Sequence, residues 1–160
     1  MNRRSFVGFG AAYAATVASS RFGQRSIDTG APENAQQRPL GVAIVGLGSL
    51  STNQIAPALS KTRHCKLAAV VTGTPAKAAR WKSMYSLPDR AVYDYNTMSR
   101  MSDNPDIDIV YVVTPNALHA EHTIKAAQAG KHVLCEKPME VSTAACQSMI
   151  AACKSAKKRL

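Results

Sequence analysis

Four clusters of residues in this chain have the types and spacing to act on a phosphorylated ligand. The first is Gly41-Val-Ala-Ile-Val-Gly46-Leu-Gly48-Ser-Leu-Ser51, a small, β-branched apolar run that ends in a Gly-x-Gly pair and passes into a helical pattern. Gly46 suits a tight turn, and Gly48 lets the backbone approach a pyrophosphate with no Cβ in the way. The N–H groups of Ser49, Leu50 and Ser51 would then open a helix and face the phosphate. Ser51 stands where a third glycine would permit the closest helix–strand packing, so that contact is expected to be wider. A turn in an α/β protein that binds nothing would carry the same glycines; the strand–turn–helix order raises the signal above the bare motif.

The second cluster decides which dinucleotide would fit. A site preferring NAD places an acid at the end of the second strand to hold the ribose hydroxyls. Here that strand ends Val71-Thr72-Gly73-Thr74, and no Asp or Glu occurs between Glu33 and Asp89. The hydroxyls of Thr72 and Thr74, with Lys77 in the first turn of the next helix, suit a 2′-phosphate instead. A cation at a helix start is disfavoured by the helix dipole unless an anion joins it. NADP is therefore expected over NAD, with a solvated surface role as the competing account of Lys77.

Thr114-Pro115-Asn116 and Glu136-Lys137-Pro138 form the third and fourth clusters, each after an apolar strand-like run. In open α/β sheets that edge is where ligands bind. Asn116 is placed to cap a helix from Ala117, and His119 to line the cleft or cap the same helix. Lys137 could set its ammonium beside a substrate oxygen and stabilise charge during hydride transfer, while Pro138 holds the turn, in a cis form if needed. A plain Glu–Lys surface pair before a proline is the alternative. His119, Glu121 and His122 lack a further ligand cluster, so no metal site is expected. Cys65, Cys135, Cys146 and Cys153 show no C-x-x-C spacing and read as small hydrophobes. Cys146, Met149, Ile150 and Cys153 recur as a buried helical stripe.

These clusters need elements to position them. Strands are expected at 41–45, 67–71, 91–93, 107–113 and 132–135, and helices at 53–61, 75–85, 95–101, 117–129 and 142–157. Pro75 falls in a first helical turn and Gly130 just past a helix end, as capping chemistry favours. The run Ile107-Asp-Ile-Val-Tyr-Val-Val113 is expected to be covered on both faces. Five βα units joined by short connections imply a Rossmann-like parallel sheet with helices on both faces. A two-halved doubly wound sheet would need a sixth strand, for which these residues leave no room.

The chain has 160 residues, 46% of them hydrophobic, and a net charge of +10, so wholesale disorder is excluded. The cationic cluster Lys154, Lys157, Lys158 and Arg159 carries no interleaved aromatics, and nucleic-acid binding is not expected. Residues 1–18 combine Arg3-Arg4 with an acid-free apolar run too short to span a bilayer. They resemble a twin-arginine export signal, with periplasmic localisation and no stable membrane span the expectation. Residues 19–38, rich in Ser, Gly, Gln and Arg with Pro32, read as a linker or extended arm, and 39–160 as the dinucleotide-binding domain.

Ala43-Ile-Val-Gly-Leu-Gly48, Asn53-Gln54-Ile55, Tyr93-Asp94-Tyr95, Pro115-Asn116-Ala-Leu-His119-Ala-Glu121, Ala129-Gly-Lys-His-Val133 and Cys135-Glu-Lys-Pro-Met139 together resemble the N-terminal half of the Gfo/Idh/MocA oxidoreductases. The sugar-oxidising branch typified by periplasmic glucose–fructose oxidoreductases is the most similar. The resemblance implies tightly held NADP, hydride transfer with an aldose or ketose, and a homo-oligomer in which the arm reaches a neighbour's cofactor. It places Gly46, Gly48, Ser49 and Leu50 on the pyrophosphate, and Thr72, Gly73 and Lys77 on the 2′-phosphate. Asn116 and His119 fall on the nicotinamide side, and Glu136 and Lys137 at the reacting centre. The family's other acid–base residues and its sugar-binding sheet lie beyond Leu160, so this polypeptide alone is expected not to turn over sugar.

Overall fold

The computed structural model describes residues 38–160. The expected leader (1–18) and all but the last residue of the expected arm (19–38) lie outside the described residues. Five parallel strands form one sheet: β1 (Leu40–Val45), β2 (Cys65–Val71), β3 (Val92–Tyr93), β4 (Ile109–Val112) and β5 (His132–Cys135), in the order β3-β2-β1-β4-β5. The helices are α1 (Ala56–Leu59), α2 (Pro75–Met84), α3 (His119–Gln128) and α4 (Thr143–Ser155). Strand addition runs one way from β1 to β3 and the other way from β4 to β5. With right-handed crossovers this reversal sets α1 and α2 on one face and α3 on the other. α1 and α2 pack against β2, whereas α3 packs against β4, β5 and α4. The Rossmann-like arrangement expected from the sequence is therefore present, with its switch point between β1 and β4.

β1 is closed on both sides: residues 41–47 are all buried, as its Val, Ala and Ile content requires of a central strand. β4 differs from expectation. Val110 and Val112 are fully buried, but Ile109 and Tyr111 are only half-buried. Tyr111 is in register with Leu134 of β5, which is 51% exposed. Residues alternate faces along a strand, so one face of the β4–β5 pair is packed and the other is open. The same asymmetry corrects the expected stripe on α4: Met149 and Cys153 are buried, but Ile150 is 53% exposed and Cys146 is half-buried.

Two further expectations change. The third helix (95–101) is instead a 3₁₀ segment at Met98–Asp103. Asp94 is the cause: its Oδ1 accepts from the N–H groups of Asn96 and Thr97, both at 2.8 Å, folding 94–97 into a turn. The helix after β1 begins earlier than residue 53. Ser49 and Leu50 are already helical, followed by a π-helical turn at Ser51–Ile55 and then α1. Arg38 is anchored, its guanidinium donating to both Asp108 carboxylate oxygens at 2.8 Å. All four cysteines are free thiols.

Candidate functional site

The turn after β1 is built locally. Gly46 has φ +94°, a left-handed conformation natural to glycine. A Cβ there would lie 2.8 Å from the Val113 carbonyl oxygen and 2.9 Å from Thr114 Cγ2, so the turns after β1 and β4 abut at this point. At Gly48 a Cβ would meet nothing within 4 Å, and Gly48, Ser49 and Leu50 are exposed. The helix's first backbone bond runs from the Thr52 N–H to the Gly48 carbonyl at 3.0 Å. The amides of residues 49–51 precede it, with no intrahelical acceptor of their own. An open glycine beside leading amides at a switch point is a cradle that fits a pyrophosphate. Ser51 is fully buried, and its hydroxyl donates to the Gly46 carbonyl at 2.5 Å and ties the helix to the turn.

After β2, Thr72 is buried and its hydroxyl accepts from the Thr74 N–H at 3.2 Å. That oxygen shapes the loop, a role the sequence reading did not give it. Gly73 and Lys77 are exposed. The ring of Tyr95 lies over Gly73, 3.0 Å from where a Cβ would be. A cavity of about 370 Å³ beside this loop is lined by Thr72, Gly73, Asp94 and Arg100 among others. Lys77 does not line it; Arg100, from the 3₁₀ segment, is the cation that does.

The turns after β4 and β5 are joined through a buried network. His119, 1% exposed, sets Nε2 at 2.8 Å from the Thr114 carbonyl and Nδ1 at 3.0 Å from that of Pro138 and 3.3 Å from that of Met139. It neither lines the cleft nor caps a helix; it bridges two turns. Asn116 is exposed, opens a short 3₁₀ turn and makes no capping bond, so the cap expected of it is not formed. His122 is also buried, with Nδ1 3.1 Å from Thr114 Oγ1 and its ring stacked on Tyr95 at 4.7 Å. Burial pushes the His122 pKa below its ordinary value, against the pull of Glu121.

Glu136 and Lys137 leave β5 at the same sheet edge, and the Lys137–Pro138 bond is cis. The Tyr111 hydroxyl donates to Glu136 Oε1 at 2.5 Å, and Oε2 accepts from the Lys137 N–H at 3.1 Å. The Tyr111 bond, opposed by partial burial and helped by the Lys137 amide, lowers the Glu136 pKa. Burial and the same bond raise that of Tyr111 to about 12. The Lys137 side chain is exposed and makes no hydrogen bond or ion pair among the described residues. Its ammonium is therefore available to a ligand. The sequence reading missed Tyr111, Arg100 and His122 as partners of the site. Tyr111 carried the one hint, a polar tip inside an apolar run one residue before the strand end.

The structure thus gathers the glycine turn, the Thr72–Thr74 loop, Asn116 and Glu136-Lys137 at the carboxyl ends of four adjacent strands. No helix among the described residues is long and apolar enough to cross a membrane. Residues 40–160 match the family described as "Oxidoreductase family, NAD-binding Rossmann fold". The chain is 31% identical over 121 residues to an NADP(+) D-xylose 1-dehydrogenase from Haloarcula marismortui, covering 76% of this chain and 33% of that protein. It is 36% identical over 103 residues to a dTDP-3,4-didehydro-2,6-dideoxy-alpha-D-glucose 3-reductase from Saccharopolyspora spinosa, covering 64% and 30%. Among solved structures, an aldose–aldose oxidoreductase from Caulobacter crescentus complexed with glycerol superposes with TM-score 0.76 at 51% identity, over 77% of this chain and 37% of that one. A 3-ketoreductase from Actinomadura kijaniata in complex with NADP gives TM-score 0.65 at 27% identity, over 75% and 37%. The chain spans about a third of the length of these relatives.

Proposed function

The chain belongs to the Gfo/Idh/MocA oxidoreductases, and from that premise we propose that it forms the NADP-binding domain of a sugar oxidoreductase. The observation that carries this is the common edge shared by an open glycine cradle and a lysine whose exposed side chain has no partner among the described residues. Leading amides at 49–51 would hold the pyrophosphate. The acid-free loop at Thr72–Thr74, with Lys77 and Arg100 nearby, favours a 2′-phosphate over free ribose hydroxyls. When bound, the nicotinamide supplies hydride exchange. Lys137 would stand beside the substrate oxygen, stabilising its charge or taking its proton as an alcohol is oxidised. An aldose or ketose is the proposed substrate, as in the glucose–fructose oxidoreductase branch, in a homo-oligomer exported to the periplasm by the twin-arginine route.

These residues alone do not make the catalyst in this proposal. Among the described residues Lys137 is the exposed acid–base candidate at the edge whose side chain has no partner, and the matched segment covers about a third of each relative. A nucleotide-binding module without turnover is the second function supported by that share. Calorimetric titration of the full chain with NADP⁺ and NAD⁺ tests the central claim. The expected result is at least tenfold tighter NADP⁺ binding, reduced by Lys77→Ala or Arg100→Ala. Failure to bind either dinucleotide overturns it. Steady sugar oxidation by the purified 160-residue chain would overturn the claim of incompleteness.

A further inference from the structure

We propose that Tyr111 is a positioning residue that fixes the Glu136 carboxylate at the nicotinamide end of the crevice, and that this fixed anion makes the site favour the oxidised over the reduced cofactor. The inference rests on the proposed dinucleotide function and adds a redox preference to it.

The geometry has three parts. Tyr111 projects from the open face of the β4–β5 pair, where it is half-buried and in register with Leu134. Glu136 lies two residues beyond Leu134 and so on that same face. The Tyr111 hydroxyl reaches it at 2.5 Å, across 25 residues of sequence. The other carboxylate oxygen is taken by the Lys137 N–H at 3.1 Å. Both oxygens thus have a donor, and two donors leave an ionised carboxylate in one orientation. The depressed Glu136 pKa agrees with that arrangement.

A dinucleotide laid across the β1/β4 switch point puts one half over β2–β3 and the other over β4–β5. With the 2′-phosphate end at Thr72–Lys77, Asn116, Glu136 and Lys137 would be the residues that face the nicotinamide half. Oxidised nicotinamide is cationic and the reduced ring is neutral. Lys137 is also cationic, so alone it would repel the oxidised ring. The Glu136 carboxylate beside it offsets that repulsion and adds attraction the reduced ring does not receive. An unclamped carboxylate would swing into solvent and be screened.

Binding of NADP⁺ and NADPH to the full chain, each measured by calorimetry, reads the preference directly. Glu136→Gln is expected to lower the NADP⁺-over-NADPH affinity ratio roughly tenfold and Tyr111→Phe roughly threefold, the scale of one charge interaction lost and one loosened. Equal weakening of both forms, with the ratio unchanged, assigns Tyr111 and Glu136 a merely structural role and overturns the inference alone. Failure of the wild-type chain to bind either form overturns the dinucleotide function and the inference with it. Carboxyl NMR titration of the ligand-free chain gives an independent readout. The Glu136 midpoint is expected to rise in Tyr111→Phe, and an unmoved midpoint overturns the clamp.

Discussion

The turns after β1 and after β5 flank the same crevice but are held by different means. In the first, Ser51 bonds back to Gly46 over five residues and Asn53 to Ser49 over four. In the second, Pro138 is held by His119 over 19 residues and Glu136 by Tyr111 over 25. The side-chain ties of the turn after β1 therefore stay within its own segment, with one backbone bond from the Gly46 N–H to the Val71 carbonyl across the sheet. Those of the turn after β5 depend on the assembled sheet. Interactions of high sequence separation exist only once strands β4 and β5 are paired, so loosening that half should relax the lysine while leaving the cradle intact.

The largest test strikes the point where the two halves touch. Gly46→Val combines a left-handed φ of +94° with a Cβ 2.8 Å from the Val113 oxygen. Strain and overpacking together predict a loss of about 2–4 kcal/mol in urea unfolding. A loss under about 0.5 kcal/mol would show that the two turns can part without cost, and the abutment would then be a weak link.

The second test separates the halves. His119→Phe keeps the ring volume but removes the imidazole N–H that is donated to the Thr114 or the Pro138 carbonyl. A destabilisation of about 1–3 kcal/mol is expected. Hydrogen exchange should quicken around residues 136–142 and stay unchanged at 46–52. Equal quickening in both turns would dissolve the distinction between a local and a long-range turn.

The third is a binding effect with almost no effect on folding. Gly48→Ala meets open space, so stability should change by less than about 0.5 kcal/mol, while NADP⁺ affinity falls about tenfold as the methyl enters the cradle. Unchanged affinity would remove Gly48 from the pyrophosphate site.

The same contrast explains what the sequence disclosed. β5 was legible to the residue, because His132–Cys135 is a short apolar run bounded by Gly130 and by Glu136-Lys137-Pro138. Pro75 and Gly130 marked their helix ends for the same local reason. His119 was legible as important but not in its role, since nothing in a linear pattern brings residue 119 to residue 138. The expected helix at 95–101 does not form because the Asp94 side chain accepts from the N–H groups of residues 96 and 97, which competes with helix. Ile150 follows a helical period but is 53% exposed, because the period fixes which residues share a face and not whether a neighbour covers that face.

The smallest effect appears at high pH and reads the long-range turn alone. Tyr111 keeps its proton in the folded protein up to about pH 12, through burial and the bond to Glu136, against 10.0 for an ordinary tyrosine. A raised folded pKa gives stability that is fully present below the unfolded value and lost as pH rises through the folded one. Stability should thus show a Tyr111-dependent decline between about pH 10 and pH 12, on top of any other alkaline loss. The near-ultraviolet phenolate signal should show Tyr111 ionising late. Tyr111→Phe should remove both the late phenolate step and that part of the decline, and leave the cradle's nucleotide contacts in place. If instead Tyr111 ionises at the ordinary value, the hydroxyl is free of Glu136. The β5 turn then rests on its other long-range ties: His119, the Glu136 N–H to the Val112 carbonyl and the Ala120 N–H to Glu140.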